Sequence, residues 1–301
     1  MLLCCDVKLF SYIQHMFVYI ILLFQSLIAS GTHIVAKVVV KDIDPVTLTM
    51  LRSLMAAVGL LLIAVVRKTK FKFQKKDYRM IALLSFLAIP VNQFLFLLAM
   101  KYTTPTNAAL LYGSTPAVVL LISHLMGREH VNWKKGLGVA IAFCGIFIIV
   151  FEHGIDFRSD YAIGNLLLLI AVLAWSLYTI QGRVLVLRYG AFMTSSTTMI
   201  IGTIMFIPIG IYETINYDYS ILAINHWGGL LYLSLGTSIF AYLLWYYALS
   251  RITATKVAIF ANLQPILTTL LALLLLDQTI TSTFIVGGSI ALTGVALTQY
   301  S

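Results

Sequence analysis

Apolar residues in this chain neither alternate nor form short stripes. They come in runs of about twenty, the length that crosses the hydrocarbon core of a bilayer as a helix. Short polar gaps holding most of the charge separate the runs. The pattern predicts ten spans, at roughly 17–39, 45–66, 78–99, 104–126, 135–151, 161–182, 192–212, 225–248, 254–276 and 282–299. No gap is long enough to fold as a domain of its own. The first 15 residues, MLLCCDVKLFSYIQH, lack the small-residue cleavage site of a signal peptide. Two readings stand for them: a short tail, or a stretch upstream of a start at Met16, with the first span as an uncleaved signal-anchor.

Composition agrees with the runs. Of 301 residues, 60% are hydrophobic and 10% charged, more apolar surface than a soluble fold of this size can hide. The expected class is an all-α integral membrane protein. A net charge of +9 would fit a nucleic-acid partner if the cations shared a face, but they sit in the gaps. The gap 67–79, RKTKFKFQKKDYR, holds seven Lys/Arg, and GREHVNWKK (127–135) holds three. With Lys8, Arg183, Arg188, Arg251 and Lys256, simple alternation of the spans puts 15 of the 20 basic residues on one side. By the positive-inside rule that side is cytoplasmic, and so are both termini. No nucleic-acid partner is expected; membrane lipids are, and the 67–79 gap is basic enough to meet anionic headgroups. Cys4, Cys5 and Cys144 have no disulfide or zinc spacing, and Cys144 is expected to be an inert packing residue. No metal or cofactor is expected.

Prolines interrupt two spans at matching places, in GSTPAVVLL (113–121) and ANLQPILTT (261–269). Shifting the chain by 149 residues aligns 99–149 with 248–298 without a gap, with 11 of 51 positions identical. The matches fall on turn, kink and small residues: Thr104/Thr253, Thr106/Thr255, Pro116/Pro265, Gly138/Gly287, Ala142/Ala291 and Gly145/Gly294. Five spans is an odd number, so the second half enters the membrane from the other side. The expected architecture is therefore ten transmembrane helices in two inverted five-helix repeats, at 16–151 and 161–299 after the 1–15 tail. Inverted repeats characterise secondary transporters, whose sites lie near the midplane between the halves.

The segments that carry a family likeness are ASGTHIVAK (29–37), PVTLTMLR (45–52), AMKYTTPTNAALLYGSTP (99–116) and GREHVNWKKGLGVAIAFCGIFIIV (127–150) in the first half. In the second they are LAWSLYTIQGR (173–183), LSRITATKVAIFANLQP (249–265) and LLDQTITSTFIVGGSIALTGVAL (275–297). Through them the chain resembles the drug/metabolite transporter superfamily, in particular its ten-helix EamA branch, over about residues 16–299. Asp277 stands where the family often has glutamate. The resemblance implies a transporter, with export of amino acids and other small metabolites as the expected activity. It marks the scaffold strongly and the solute hardly at all.

Arg52 is the sharpest candidate for solute contact. It lies about 10 Å into span two at 1.5 Å per residue, where a charge is costly unless paired or hydrated. Either it faces a cavity and binds a carboxylate, or it is structural, tied to carbonyls or to Asp42 or Asp44. Lys37 reads as a snorkelling anchor or a charge at the outer mouth of the path. His33, on its helical face, is the best available proton carrier or a hydrogen-bonded packing residue. No Asp or Glu falls inside a predicted span, so either coupling uses His33 or the solute moves without it. That absence argues against an intramembrane aspartyl protease, and neither HExxH nor GxSxG occurs in a span. No catalytic residue and no enzyme activity are expected.

The neutral set is richer: Asn92 and Gln93 beside Pro90, Tyr112 and Ser114 before Pro116, Trp175 and Tyr178, Tyr242 and Trp245, and Asn262 and Gln264 before Pro265. Such side chains join helices or line a hydrated cavity. Pro90, Pro116 and Pro265 are the expected kinks. A cavity with Trp and Tyr and few charges suits an amphipathic zwitterion. The leading reading is a metabolite exporter of a bacterial-type inner membrane, working by alternating access. A nucleotide-sugar or sugar-phosphate antiporter of the same superfamily is the alternative, and needs more cations facing the cavity than Arg52 and Lys37. A membrane-embedded enzyme needs a titratable cluster that the chain does not supply.

Overall fold

A computed structural model describes the backbone of residues 2–128, 131–150 and 160–300, and the side chains from residue 16 onward apart from 150, 221, 299 and 300. Lys8, Cys4 and Cys5 as side chains, and Glu129, Glu152, Asp156 and Arg158 altogether, lie outside the described residues. The described residues form helices joined by short turns and connections, with no strand among them. The helices are α1 (Leu2–Val39), α2 (Pro45–Val66), α3 (Lys75–Tyr102), α4 (Pro105–Leu125), α5 (Trp133–Val150), α6 (Asp160–Tyr189), α7 (Ala191–Asn216), α8 (Ile224–Leu249), α9 (Ala254–Leu275) and α10 (Ser282–Tyr300). Among the described residues, eight are long and apolar enough to cross a membrane, and the apolar part of α10, Ser282–Thr298, is shorter.

The molecule is apolar outside and polar within. Val66, Leu125 and Ile224 are 81%, 76% and 87% exposed, while Gln25, Ser30, His33, Arg52 and Asn165 are buried. This inversion is what lipid as solvent demands: hydrocarbon accepts leucine and rejects unpaired polar groups. Turn chemistry sets the boundaries. Asp44 accepts from the Val46 N–H and Pro45 opens α2. Thr104 and Thr253, 149 residues apart, cap their helices alike, accepting from the N–H groups of Asn107 and Lys256. Gly190, at φ 82°, ends α6 in a conformation that glycine adopts without strain.

Several boundaries differ from the sequence reading. The α1 helix begins at Leu2, so the expected tail continues the first span's helix. The α6 helix runs on to Tyr189 rather than stopping near 182, because VLVLRY is uninterrupted by a breaker; Arg183 and Arg188 are therefore helical. Cys144 is exposed, on the outer face of α5 rather than packed inside.

The two central prolines act as segment boundaries. Pro116 opens a second segment, Thr115–Leu125, after Pro105–Gly113. Its ring removes the donor for the Tyr112 carbonyl, and Thr115 Oγ1 donates to that oxygen instead (2.5 Å) while Ser114 Oγ serves Leu111 O (2.6 Å). Before Pro265 the chain tightens to a 3-10 turn at Ile259–Asn262, and Ser26 Oγ of α1 donates to the Phe260 carbonyl (3.1 Å). The Pro265 ring packs on Gly113, where an added Cβ would lie 2.6 Å from its Cγ.

α5 and α10 form a closely packed pair at one edge. A Cβ on Gly138 would meet Gly294 O at 2.8 Å, one on Gly145 would meet Ala291 Cα at 2.7 Å, and one on Gly294 would meet Ala142 Cα at 2.8 Å. Low numbers on α5 meet high numbers on α10, so the two helices run antiparallel. Only small residues permit this approach.

Candidate functional site

The wall of the central cavity begins where two helices widen. α3 carries a π-helical stretch at Leu87–Gln93, around Pro90, and α8 carries one at Tyr232–Ala241 that contains no proline. Such wide turns re-aim side chains and are frequent at functional sites. Here they turn Asn92 and Gln93 from α3, and Thr237 and Tyr242 from α8, toward one interior space. From α1 it is lined by Gln25, Thr32 and His33, from α2 by Arg52, from α4 by Tyr112, from α6 by Trp175 and from α9 by Gln264. Its volume is about 70 Å³, room for a few waters or the polar head of a small solute.

Each polar side chain has an identifiable place. Asn92 Nδ2 donates to Tyr112 OH (2.7 Å) and Ala171 O (2.8 Å), and its Oδ1 accepts from Tyr242 OH (3.2 Å), so one amide joins α3, α4, α6 and α8. Thr32 Oγ1 donates to Ile28 O (2.8 Å) and lies 2.7 Å from Thr237 Oγ1. His33 Nε2 donates to Gln264 Oε1 (3.2 Å), which leaves Nδ1 as an acceptor, buried and without a partner. The ring packs edge-on to Phe96, centroids 5.4 Å apart.

Arg52 is 2% exposed. Its Nε donates to Ser238 Oγ (2.8 Å), and that hydroxyl donates to Leu233 O (3.0 Å). Its Nη1 is buried with no hydrogen-bond partner, and among the described residues no carboxylate pairs with it. The two carboxylates considered from sequence are engaged elsewhere. Asp42 meets His226 Nε2 at 2.9 Å, and Asp44 caps α2 and lies 3.6 Å from Lys101. Gln25 Oε1 is a further buried acceptor without a partner. The cavity thus has one guanidinium and two acceptors with unused capacity, against a wall of Phe96, Tyr112, Trp175 and Tyr242.

Eight of the twelve sequence candidates meet at this cavity: His33, Arg52, Asn92, Gln93, Tyr112, Trp175, Tyr242 and Gln264. The other four, Ser114, Tyr178, Trp245 and Asn262, are not on its lining. Ser114 serves its own helix. Tyr178 and Trp245 form an aromatic layer behind Trp175, at centroid distances of 5.6 and 5.2 Å, and Trp245 Nε1 donates to Thr179 Oγ1 (3.1 Å). Sequence reasoning missed Gln25, Thr32 and Thr237. Gln25, Ala29, Thr32 and His33 follow the one-face spacing of a helix, the signal that finds the first two. Lys37 is not on this lining; its Nζ donates to Met100 O and Thr103 O, both at 2.7 Å, and caps the end of α3.

The sequence profile of the EamA-like transporter family matches residues 16–151 and again 162–300. A protein named as an uncharacterized transporter from Archaeoglobus fulgidus is 30% identical over 285 residues, covering 93% of this chain and 96% of its own. Two Bacillus subtilis proteins, named as the uncharacterized transporters YyaM and YetK, are each 26% identical, over 86% and 95% of this chain and 86% and 87% of their own lengths. A solved crystal structure shares the fold with a TM-score of 0.66 at 16% identity, over 92% of this chain and 94% of that one. With a family profile matched twice across nearly its whole length, this multi-pass membrane protein belongs to the EamA-like transporter family.

Proposed function

We propose that the protein carries a small solute bearing one carboxylate, an amino acid or similar amphipathic metabolite, outward across a plasma membrane with both termini in the cytoplasm. The observation that carries this reading is Arg52: a buried guanidinium on a cavity wall, with Nη1 unpartnered and no carboxylate beside it. Leaving such a charge uncompensated costs roughly several kcal/mol, a cost that a bound carboxylate offsets. Gln25 Oε1 and His33 Nδ1 offer acceptors to an ammonium, and the aromatic wall suits an apolar side group. Arg52 is the one Lys or Arg on the described lining, which favours a single carboxylate over the diphosphate of a nucleotide-sugar.

The architecture in this reading is ten spans in two inverted five-helix halves that rock about the cavity. Three equivalences at the 149-residue offset support it: the Thr104 and Thr253 caps, the interlocked Gly138–Gly145 and Gly287–Gly294 faces, and the overlapping wide turns of α3 and α8; Pro265 in turn lies on Gly113, one turn before its own equivalent Pro116. The test is a thermal-shift screen of the purified protein against amino acids, their decarboxylated amines and their amides. A ligand that binds only the folded state raises apparent stability. Amino acids are expected to shift Tm where the amines do not; equal shifts from the amines would overturn the carboxylate assignment.

A further inference from the structure

The bonds of Arg52 are unevenly used. Its Nε donates to Ser238 Oγ (2.8 Å), while Nη1 is buried without a partner. A guanidinium offers two-donor edges in a fixed fork: one along its side, formed by Nε and Nη2, and one at its end, formed by Nη1 and Nη2. Ser238 occupies the side edge at Nε. The edge left for a partner that takes two bonds at once is therefore the terminal one. Its open corner, Nη1, belongs to the one Lys or Arg on the described lining of the cavity.

Ser238 is itself fixed. It is fully buried, and its hydroxyl donates to the Leu233 carbonyl (3.0 Å). Gln93 Oε1, at 3.5 Å, is a more distant acceptor for the same proton. A hydroxyl has one proton and two lone pairs, so with the proton committed it meets Arg52 as an acceptor. Ser30, Ser85 and Ser176 lie in ordinary α-helix and bond four residues back, to Ser26 O, Ile81 O and Val172 O. Ser238 bonds five back, the spacing of the π-helical stretch in which it sits. Within that wide turn its free lone pairs face the guanidinium.

Packing does not ask for a hydroxyl at this place. At the 149-residue offset Ser238 matches Ile89, which lies in the wide turn of α3 and is also fully buried. There the same backbone form is built with an apolar side chain. The α8 copy differs in having a guanidinium in front of it. Arginine carries much rotamer freedom, and a group that holds it in place beforehand spares the ligand the cost of ordering it.

We propose that Ser238 is a positioning residue for the solute: by accepting from Nε it fixes the plane of the guanidinium and reserves the Nη1/Nη2 edge for both oxygens of one carboxylate. The inference rests on the carboxylate reading of the cavity and deepens it, naming the edge of Arg52 that is used and the residue that selects it. A fork-to-fork pair of this kind adds geometric selectivity as well as strength. Ser238 is not on the cavity lining, so it acts through Arg52. Without its hydroxyl the charge remains, but Nε is free to turn and to offer the solute a competing edge.

The test is equilibrium binding to the purified full chain in detergent. Each standard amino acid is used singly as a labelled probe, and the tightest is carried through the variants beside its carboxamide as competitor. Ser238→Ala is expected to weaken the amino acid about tenfold, the scale of one hydrogen bond to a charged group, and to leave the carboxamide nearly unchanged. A serine that only supports the fold would weaken both alike. In an Arg52→Lys background, which has no Nε to hold, the same serine change is expected to move affinity less than about twofold, since the effect passes through the guanidinium. Should Ser238→Ala lower Tm, Ser238→Cys keeps a side chain of similar shape with only a weak acceptor and is expected to give the same loss of selectivity. An unchanged ratio of amino-acid to carboxamide affinity in the folded variant, or an equal loss in the Arg52→Lys background, overturns the inference and leaves the carboxylate reading standing on native binding. Binding of no amino acid by the native chain removes that reading, and the inference with it.

Discussion

At the scale of single residues the account turns on unused bonding capacity. Arg52→Met keeps the stem and removes the charge. Because replacing an uncompensated buried charge by an apolar side chain is neutral or stabilising, the variant is expected to hold or raise Tm while losing the amino-acid-dependent shift. A structural arginine would instead give a lower Tm. Arg52→Lys is expected to weaken binding at least about tenfold, since a compact ammonium does not reproduce the planar fork. Asn92→Leu tests the other kind of polar residue: three bonds at once, to Tyr112, Ala171 and Tyr242, so its loss is expected to cost about 1–3 kcal/mol in denaturant-induced unfolding. Residue type made both positions visible in the sequence, since polar groups in apolar runs stand out. What the sequence did not carry was direction. Ser114 and Asn92 look alike as letters beside a proline, yet Ser114 turns back to its own Leu111 carbonyl while Asn92 reaches across three helices. Side-chain direction at a proline boundary depends on which carbonyls the ring has left free, and that is settled only by packing.

At the scale of elements, small residues and prolines do most of the positioning. A side chain at Gly145 collides with the backbone of α10 at Ala291, whereas one at Gly288 reaches ordinary contact distance. Gly145→Val is therefore expected to lower Tm by many degrees and Gly288→Ala by little, measured side by side in the same detergent. Thr115→Val removes the hydroxyl that serves the Tyr112 carbonyl, and about 1–3 kcal/mol is expected for the orphaned acceptor; Pro116→Ala in the same background restores an N–H donor and is expected to recover part of it. The helix positions, the Gly and Thr pairs and the three prolines were legible because each has a local cause in turn or packing chemistry. The wide turn of α8 was not. Its stretch YLSLGTSIFA contains no proline, and the π geometry there coincides with side-chain bonds that single letters do not announce: Ser238 Oγ to the Leu233 carbonyl within α8, and Thr237 against Thr32 of α1. The overrun of α6 to Tyr189 has a similar origin, since nothing in VLVLRY stops a helix and Gly190 does.

At the scale of the whole molecule, the basic 67–79 segment is more than a topological marker. Asp77 accepts from Arg188 Nη1 (2.5 Å) and Tyr189 OH (2.6 Å), the Gln74 N–H donates to the same hydroxyl (3.1 Å), and Phe73 packs edge-on against Tyr189. The segment is thereby pinned to the end of α6. Asp77→Ala is expected to speed tryptic cleavage within 67–79 without unfolding the protein, read by limited proteolysis; an unchanged rate would mean that the latch contributes nothing. The cavity, the edge pair and this latch all join the chain's first part to its second, as a two-half carrier requires. The most direct test of that carrier is counterflow in proteoliposomes loaded with an unlabelled amino-acid mixture and given labelled amino acids outside, one at a time, comparing the native chain with Arg52→Met. The account predicts protein-dependent exchange of at least one amino acid, lost in Arg52→Met at unchanged Tm. No exchange across the panel, or exchange by Arg52→Met at the native rate, would contradict it.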